Sequence, residues 1–76
     1  MRQSEKKKVI EAKNMISAAS DMIRSVIDTE NERYDNLTER AQDGPVGERI
    51  EETVDALESA ADGLDDVVGE LEEVLG

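Results

Sequence analysis

A heptad pattern of apolar residues runs without a gap through the second half of this 76-residue chain. Steps of four and three residues alternate along Ile50, Val54, Leu57, Ala61, Leu64, Val68, Leu71 and Leu75. Such spacing places every member on one face of an α-helix, and that face must be covered by other helices. A second row lies beside it, formed by Thr53, Ala60, Val67 and Val74. One helix cannot cover so wide a face, so the pattern predicts self-assembly.

The first half of the chain predicts a second long helix, from about residue 4 to residue 36. The same spacing recurs at Val9, Ala12, Ile16, Ala19, Ile23 and Val26, with Met15 and Met22 on the flank of the stripe as core residues. After Val26 the apolar row moves to Ile27, Tyr34, Leu37 and Ala41. The shift indicates either a bend of the helix or its end near Asn36, followed by a short extra turn.

A turn is predicted for residues 42–47, which contain the only proline and two of the five glycines. Pro45 suits the first turn of a helix that occupies about residues 46–75. We therefore expect an all-α chain, a single antiparallel helical hairpin over residues 1–76. Two hairpins would dock into a four-helix-bundle-like assembly or a larger one. A lone core of this size supplies only ~3–5 kcal/mol, and the chain has no cysteine for disulfides, so oligomerisation is the remaining source of stability.

Missing residue types exclude several classes of function. Without cysteine or histidine the chain has no thiolate nucleophile, no imidazole base and no usual zinc ligands, and its carboxylates lie on polar faces. We expect no enzyme, no metal and no cofactor. Residues 41–76 hold one arginine and twelve acidic residues, which argues against direct nucleic-acid binding. No stretch is apolar enough to predict a membrane span or a signal peptide, so the expected location is the cytoplasm.

Polar residues interrupt the core pattern near the predicted turn and form the first candidate site. Glu30 and Arg33 occupy positions where the heptad requires apolar residues. One interpretation is an ion pair between them, extended to Glu48 or Glu51, that fixes the register of the hairpin. The other is a pocket for a partner or an anion. Its candidate residues are Arg33, Tyr34, Asp35, Asn36, Arg40 and Arg49.

Two groups of charges on the predicted helices allow further interpretations. An acidic row on the second helix consists of Glu51, Glu58, Asp65 and Glu72. It is either a solvated outer face or a mimic of a nucleic-acid backbone that occupies a basic groove. Three lysines, Lys6, Lys7 and Lys8, are predicted to lie beside the acidic end of the second helix and to pair with Glu70, Glu72 and Glu73. The alternative is that these lysines contact an anion or a nucleic acid.

One segment resembles a recurring type of small acidic helical protein encoded by phages and prophages. In that family a YDNLPE-x-LQ segment is followed by a GE turn and an EE-x-I-D-x-L-E-x-A helix. Over residues 28–75 this chain matches it at Tyr34-Asp35-Asn36-Leu37, Glu39, Gln42, Gly47-Glu48, Glu51-Glu52, Leu57-Glu58 and Ala60. Thr38 and Ala41 stand where the family has proline and leucine. The family has no established activity, so the resemblance implies a viral genome and an accessory role.

These observations lead to one main functional hypothesis and three alternatives. We expect a homo-oligomeric binding protein that inhibits a host component stoichiometrically, as in counter-defence. Alternatively, the chain sequesters an anionic, for example cyclic, nucleotide through arginines at the tip or between protomers. It could also act as an acidic nucleic-acid mimic or as a purely structural helical bundle.

Overall fold

The computed structural model describes residues 1–76 and contains three helices and no strand. They are α1 (Gln3–Asp35), α2 (Glu39–Gln42) and α3 (Pro45–Leu75). The all-helical prediction is therefore confirmed. The molecule measures 58 × 14 × 14 Å, so it consists of one long pair of helices with the single-turn α2 at one end. We call the end that carries α2 the tip, and the other end, with both chain termini, the open end.

Local capping determines where the helices stop and start at the tip. The backbone N–H of Asn36 donates to the Glu32 carbonyl at 3.1 Å and closes the last turn of α1. Thr38 then caps α2, since its hydroxyl oxygen accepts from the Ala41 N–H at 3.2 Å. Pro45 begins α3 directly after Gly44. Of the two alternatives for the end of α1, the structure therefore shows a stop followed by an extra turn.

The long helices run in opposite directions and bury a narrow row of residues between them. On α3 this row is the predicted heptad stripe, preceded by Gly47, and its most buried members are Ile50, Val54 and Ala61. Ile27 of α1 packs with Ile50 and Val54 near the tip. Only six of the 76 residues are buried, so the chain on its own has a very small core.

The row that α1 turns toward α3 differs from the predicted stripe. Its members are at least half-buried and follow one register from end to end: Lys6, Val9, Lys13, Ile16, Ser20, Ile23, Ile27, Glu30 and Tyr34. Ala12 and Val26 are exposed, and Met15 and Met22 expose 71% and 72% of their surface, so none of the four lies in the core of the single chain. Their burial in the core of an assembly stays a prediction. The step after Val26 is therefore no change of register, because two apolar rows overlap on α1 and only one of them faces α3.

Gly47 allows α3 to approach the tip closely. A Cβ atom at this position would lie 2.0 Å from the carbonyl oxygen of Gln42, a distance that no side chain tolerates. The side-chain amide of Gln42 in turn donates to the backbone oxygen of Tyr34 at 3.0 Å. Together these contacts join α2 to the ends of both long helices and position the side chains of the tip.

Candidate functional site

One side of the helix pair carries a charged network that joins α1 to α3. Ser20 is 2% exposed, and its hydroxyl donates to Oδ1 of Asp65 at 2.7 Å. Arg24, one turn further along α1, bonds the second carboxylate oxygen of Asp65 at 2.5 Å and Oδ1 of Asp62 at 3.1 Å. We call Ser20, Arg24, Asp62 and Asp65 the Arg24 network.

These contacts shift the titration of the network in the directions expected for stabilised charges. The Ser20 hydrogen bond, followed by the Arg24 guanidinium, lowers the pKa of the Asp65 carboxyl. Hydrogen bonds to Asp65 and Asp62 raise the pKa of Arg24 further above its ordinary value. The ion-paired side chains of the network are exposed to water, so they contribute little to the free energy of unfolding and mainly orient the two helices.

A cleft of about 520 Å³ opens on the other side of the pair, near the tip. Arg33 and Arg49 line it together with the apolar Val46 and Ile50. Glu30 also lines the cleft and accepts from the Arg33 guanidinium at 3.0 Å. The predicted Glu30–Arg33 ion pair is thus present, but no ion pair extends it to Glu48 or Glu51.

The other predicted tip residues lie outside this cleft. Tyr34 is half-buried against the Ile27, Ile50 and Val54 cluster. Its hydroxyl faces the Glu51 carboxylate. The hydrogen bond with Glu51, followed by burial, raises the pKa of the Tyr34 phenol. Asp35, Asn36 and Arg40 are exposed at the tip. The structure therefore brings Arg33 and Arg49 together and separates them from Arg40.

The predicted acidic row on α3 is exposed, but its members differ in their surroundings. Asp65 belongs to the Arg24 network and Glu51 lies beside Tyr34. Glu58 lines a second, smaller cleft of about 310 Å³ that also contains Arg24 and Asp62. Glu72 is exposed toward the open end and, like Glu58, makes no hydrogen bond or ion pair. The row is therefore partly engaged with α1 and is no uniform array of free carboxylates.

At the open end the predicted lysine pairing is wrong. All ion pairs of the chain involve Arg24 or Arg33, so Lys6, Lys7 and Lys8 make none with Glu70, Glu72 or Glu73. No group of acidic side chains is arranged to hold a metal ion. None of the helices has the length and apolar character needed to cross a membrane.

Exposed apolar residues collect on the side of the pair that contains the cleft. Arg33, Val46 and Thr53 line the cleft, and each directly precedes an inner-row residue. The same rows continue toward the open end as Ala12, Ala19 and Val26 on α1 and as Ala60, Val67 and Val74 on α3, flanked by Met15, Met22, Ala56 and Gly63. We call this surface, from Val46 to Val74 and from Ala12 to Val26, the apolar side. It contains six of the eight large apolar residues that the chain exposes, the other two being Met1 and Ile10.

Sequence reasoning missed Ser20, Arg24 and Asp62. The signal was present, because in an antiparallel pair the residues that follow an inner position by four meet across the interface. Arg24 follows Ser20 by four residues and Asp65 follows Ala61 by four. This pairing could be predicted only if the inner row of α1 was known, and the sequence alone allows two such rows.

Comparison with protein-family models, with curated proteins and with solved structures finds no match for this chain.

Proposed function

We propose that this protein is a non-enzymatic helical hairpin that self-associates through its apolar side and binds a host component stoichiometrically. The location of its action would be the cytoplasm of a bacterial host, where it would serve a phage as a counter-defence protein. The phage role rests on the resemblance of residues 28–75. Self-association rests on a structural observation, the concentration of exposed apolar residues on one side.

Self-association is favoured because it would remove the exposed residues of the apolar side from water. Met15, Met22, Val26, Val67 and Val74 leave between 37% and 72% of their surface in water. Monomeric proteins rarely expose a contiguous apolar surface of this kind, and burying a fully exposed side chain of this size contributes about 1.5–3 kcal/mol. Docking two helix pairs would convert a chain with six buried residues into a bundle with a continuous core.

Met22→Glu tests this part of the proposal. Met22 is exposed in the single chain, so the substitution leaves α1 and its contact with α3 intact. In an assembly it would bury a carboxylate, and we expect association to weaken at least tenfold. Ala18→Glu is the matched control, because it adds the same charge at an exposed position of α1 away from both α3 and the apolar side. Sedimentation velocity measures both. Equal association of the two variants would refute self-association through the apolar side.

We assign binding of the host component to the tip, where polar residues are exposed. Arg40, Asp35 and Asn36 are exposed there and have no ion-pair partner. We expect Arg40→Ala and Asn36→Ala to reduce recovery of the bound component from a host lysate at unchanged helix content. Tyr34→Ala is unsuitable for this test, because Tyr34 packs on the core cluster and its loss destabilises the fold. Mass spectrometry identifies the bound target and its stoichiometry. If both tip variants retain that target in full, the binding surface lies elsewhere.

The cleft supports a second candidate function, sequestration of an anionic nucleotide. Arg33 and Arg49 line the same cavity, and guanidinium groups recognise phosphate bidentately. If this function is correct, Arg33→Ala and Arg49→Ala each abolish binding of a cyclic nucleotide in calorimetric titration. Arg40→Ala, outside the cleft, leaves binding unchanged. Loss of binding in the Arg40 variant alone would exclude the cleft. The nucleic-acid mimic is less favoured, since Asp65 and Glu51 already have partners on α1.

A further inference from the structure

The helix pair can dock with a copy of itself through the apolar side in two symmetric ways. A twofold axis along the pair keeps both tips at one end and sets α1 of one protomer against α3 of its partner. A twofold axis across the pair puts the tips at opposite ends and sets α1 against α1 and α3 against α3. Adjacent helices are antiparallel in both arrangements, so helix direction does not decide between them.

The charges of the two helices differ strongly and do decide. α3 contains eleven acidic residues and one arginine, a formal charge of −10, whereas α1 contains seven acidic and six basic residues, a charge of −1. Docking with the tips at opposite ends makes the two α3 helices neighbours. Docking with the tips together places them on the diagonal of the bundle. For helices ~10 Å apart in physiological salt, the move from edge to diagonal lowers the screened repulsion by about half.

The heights of the side chains along the pair favour the same arrangement. Arg24 is level with Asp62, and Arg33 is level with Arg49 in the cleft. A twofold axis along the pair preserves height, so Met22 of one protomer would meet the partner's Ala60 and Met15 would meet the partner's Val67. At these two levels a methionine would thereby face a smaller apolar side chain, as close packing requires.

We propose that a second copy of this chain covers the apolar side with both tips at the same end of the bundle. Each Arg33–Arg49 cleft would then face that of the partner, with the two Glu30 carboxylates partly offsetting the four guanidinium groups. The inference rests on the proposed self-association and adds its direction.

Spin labels on single cysteines test the direction, because the natural chain contains no cysteine. Arg40→Cys places the label at the tip, Lys7→Cys at the open end and Ala18→Cys near the middle. With the tips together all three dimers give short distances, of the order of the bundle width, about 20–30 Å. With the tips opposite, the tip and open-end labels would be separated by about the length of the chain, 58 Å, while the middle label stays close.

The three labels also separate the two proposals. Long distances at the tip and the open end with a short one in the middle would overturn the direction while leaving self-association correct. Absence of any dipolar coupling at all three positions, in a sample of monomeric mass, would overturn self-association itself. Short distances at all three positions establish both.

Discussion

At the scale of single residues, the Arg24 network shows how one buried hydroxyl determines the behaviour of an exposed acid. The density of carboxylates on α3 predicts mutual repulsion, which would raise their pKa values. At Asp65 that prediction is wrong, since Ser20 and Arg24 lower its pKa. The same contact explains why a serine can occupy the inner row: the Ser20 hydroxyl is buried, and Asp65 accepts its hydrogen bond.

The lowered pKa of Asp65 has a defined consequence for stability against pH. Its ionised form is favoured in the folded state, so its contribution is fully present above the unfolded pKa of about 3.9 and is lost as the pH falls through the folded pKa. Asp65→Asn should therefore lower the free energy of unfolding more at pH 7 than at pH 2. Urea denaturation at both pH values measures this, with Asp66→Asn as the control for a neighbouring acid without a partner. A deficit of equal size at both pH values would show that Asp65 contributes through packing alone.

At the scale of secondary-structure elements, α3 could be predicted in detail and α1 only in outline. The stripe of α3 consists of one unbroken heptad of aliphatic residues and alanine, so only one face can be the inner one. On α1, Val9, Ile16 and Ile23 belong equally to a row with Ala12, Ala19 and Val26 and to a row with Lys13, Ser20 and Ile27. Local hydrophobicity favours the first row. The structure uses the second, because it continues into Ile27 and Tyr34 at the tip and because Asp65 of α3 satisfies Ser20.

The candidate site could also be predicted only in part. The Glu30–Arg33 pair lies within one helix and could be predicted from spacing alone. The grouping of Arg33 with Arg49, and the separation of both from Arg40, depends on how α2 folds back over the start of α3. That path depends on the close approach of Gly47 to the Gln42 backbone and on the bond from the Gln42 side chain to the Tyr34 carbonyl oxygen, contacts that the heptad spacing does not reveal.

Gly47 and Gly69 should respond oppositely to the same substitution. Gly47→Ala places a methyl group against the Gln42 carbonyl, and we expect a loss of about 1–3 kcal/mol from the forced separation of α2 and α3. Gly69→Ala meets open space within α3 and should gain about 1 kcal/mol from helix propensity. Thermal denaturation followed by circular dichroism measures both. A neutral Gly47→Ala would mean that the tip does not pack as described.

At the scale of the whole molecule, the two sides of the helix pair have different roles. The Arg24 network fixes α1 against α3 within one chain. The apolar side carries most of the exposed large apolar residues of the chain. If the proposed self-association covers that side, folding and assembly should be coupled.

The dependence of the melting temperature on protein concentration shows whether folding and assembly are coupled. For a chain whose stability comes partly from association, a hundredfold increase in concentration should raise the melting temperature by roughly 10 °C, because each tenfold step adds to the free energy of the assembled state. Differential scanning calorimetry between micromolar and millimolar chain concentrations provides the measurement. A melting temperature independent of concentration, in a sample that sediments at the monomer mass of 8.4 kDa, would contradict the account.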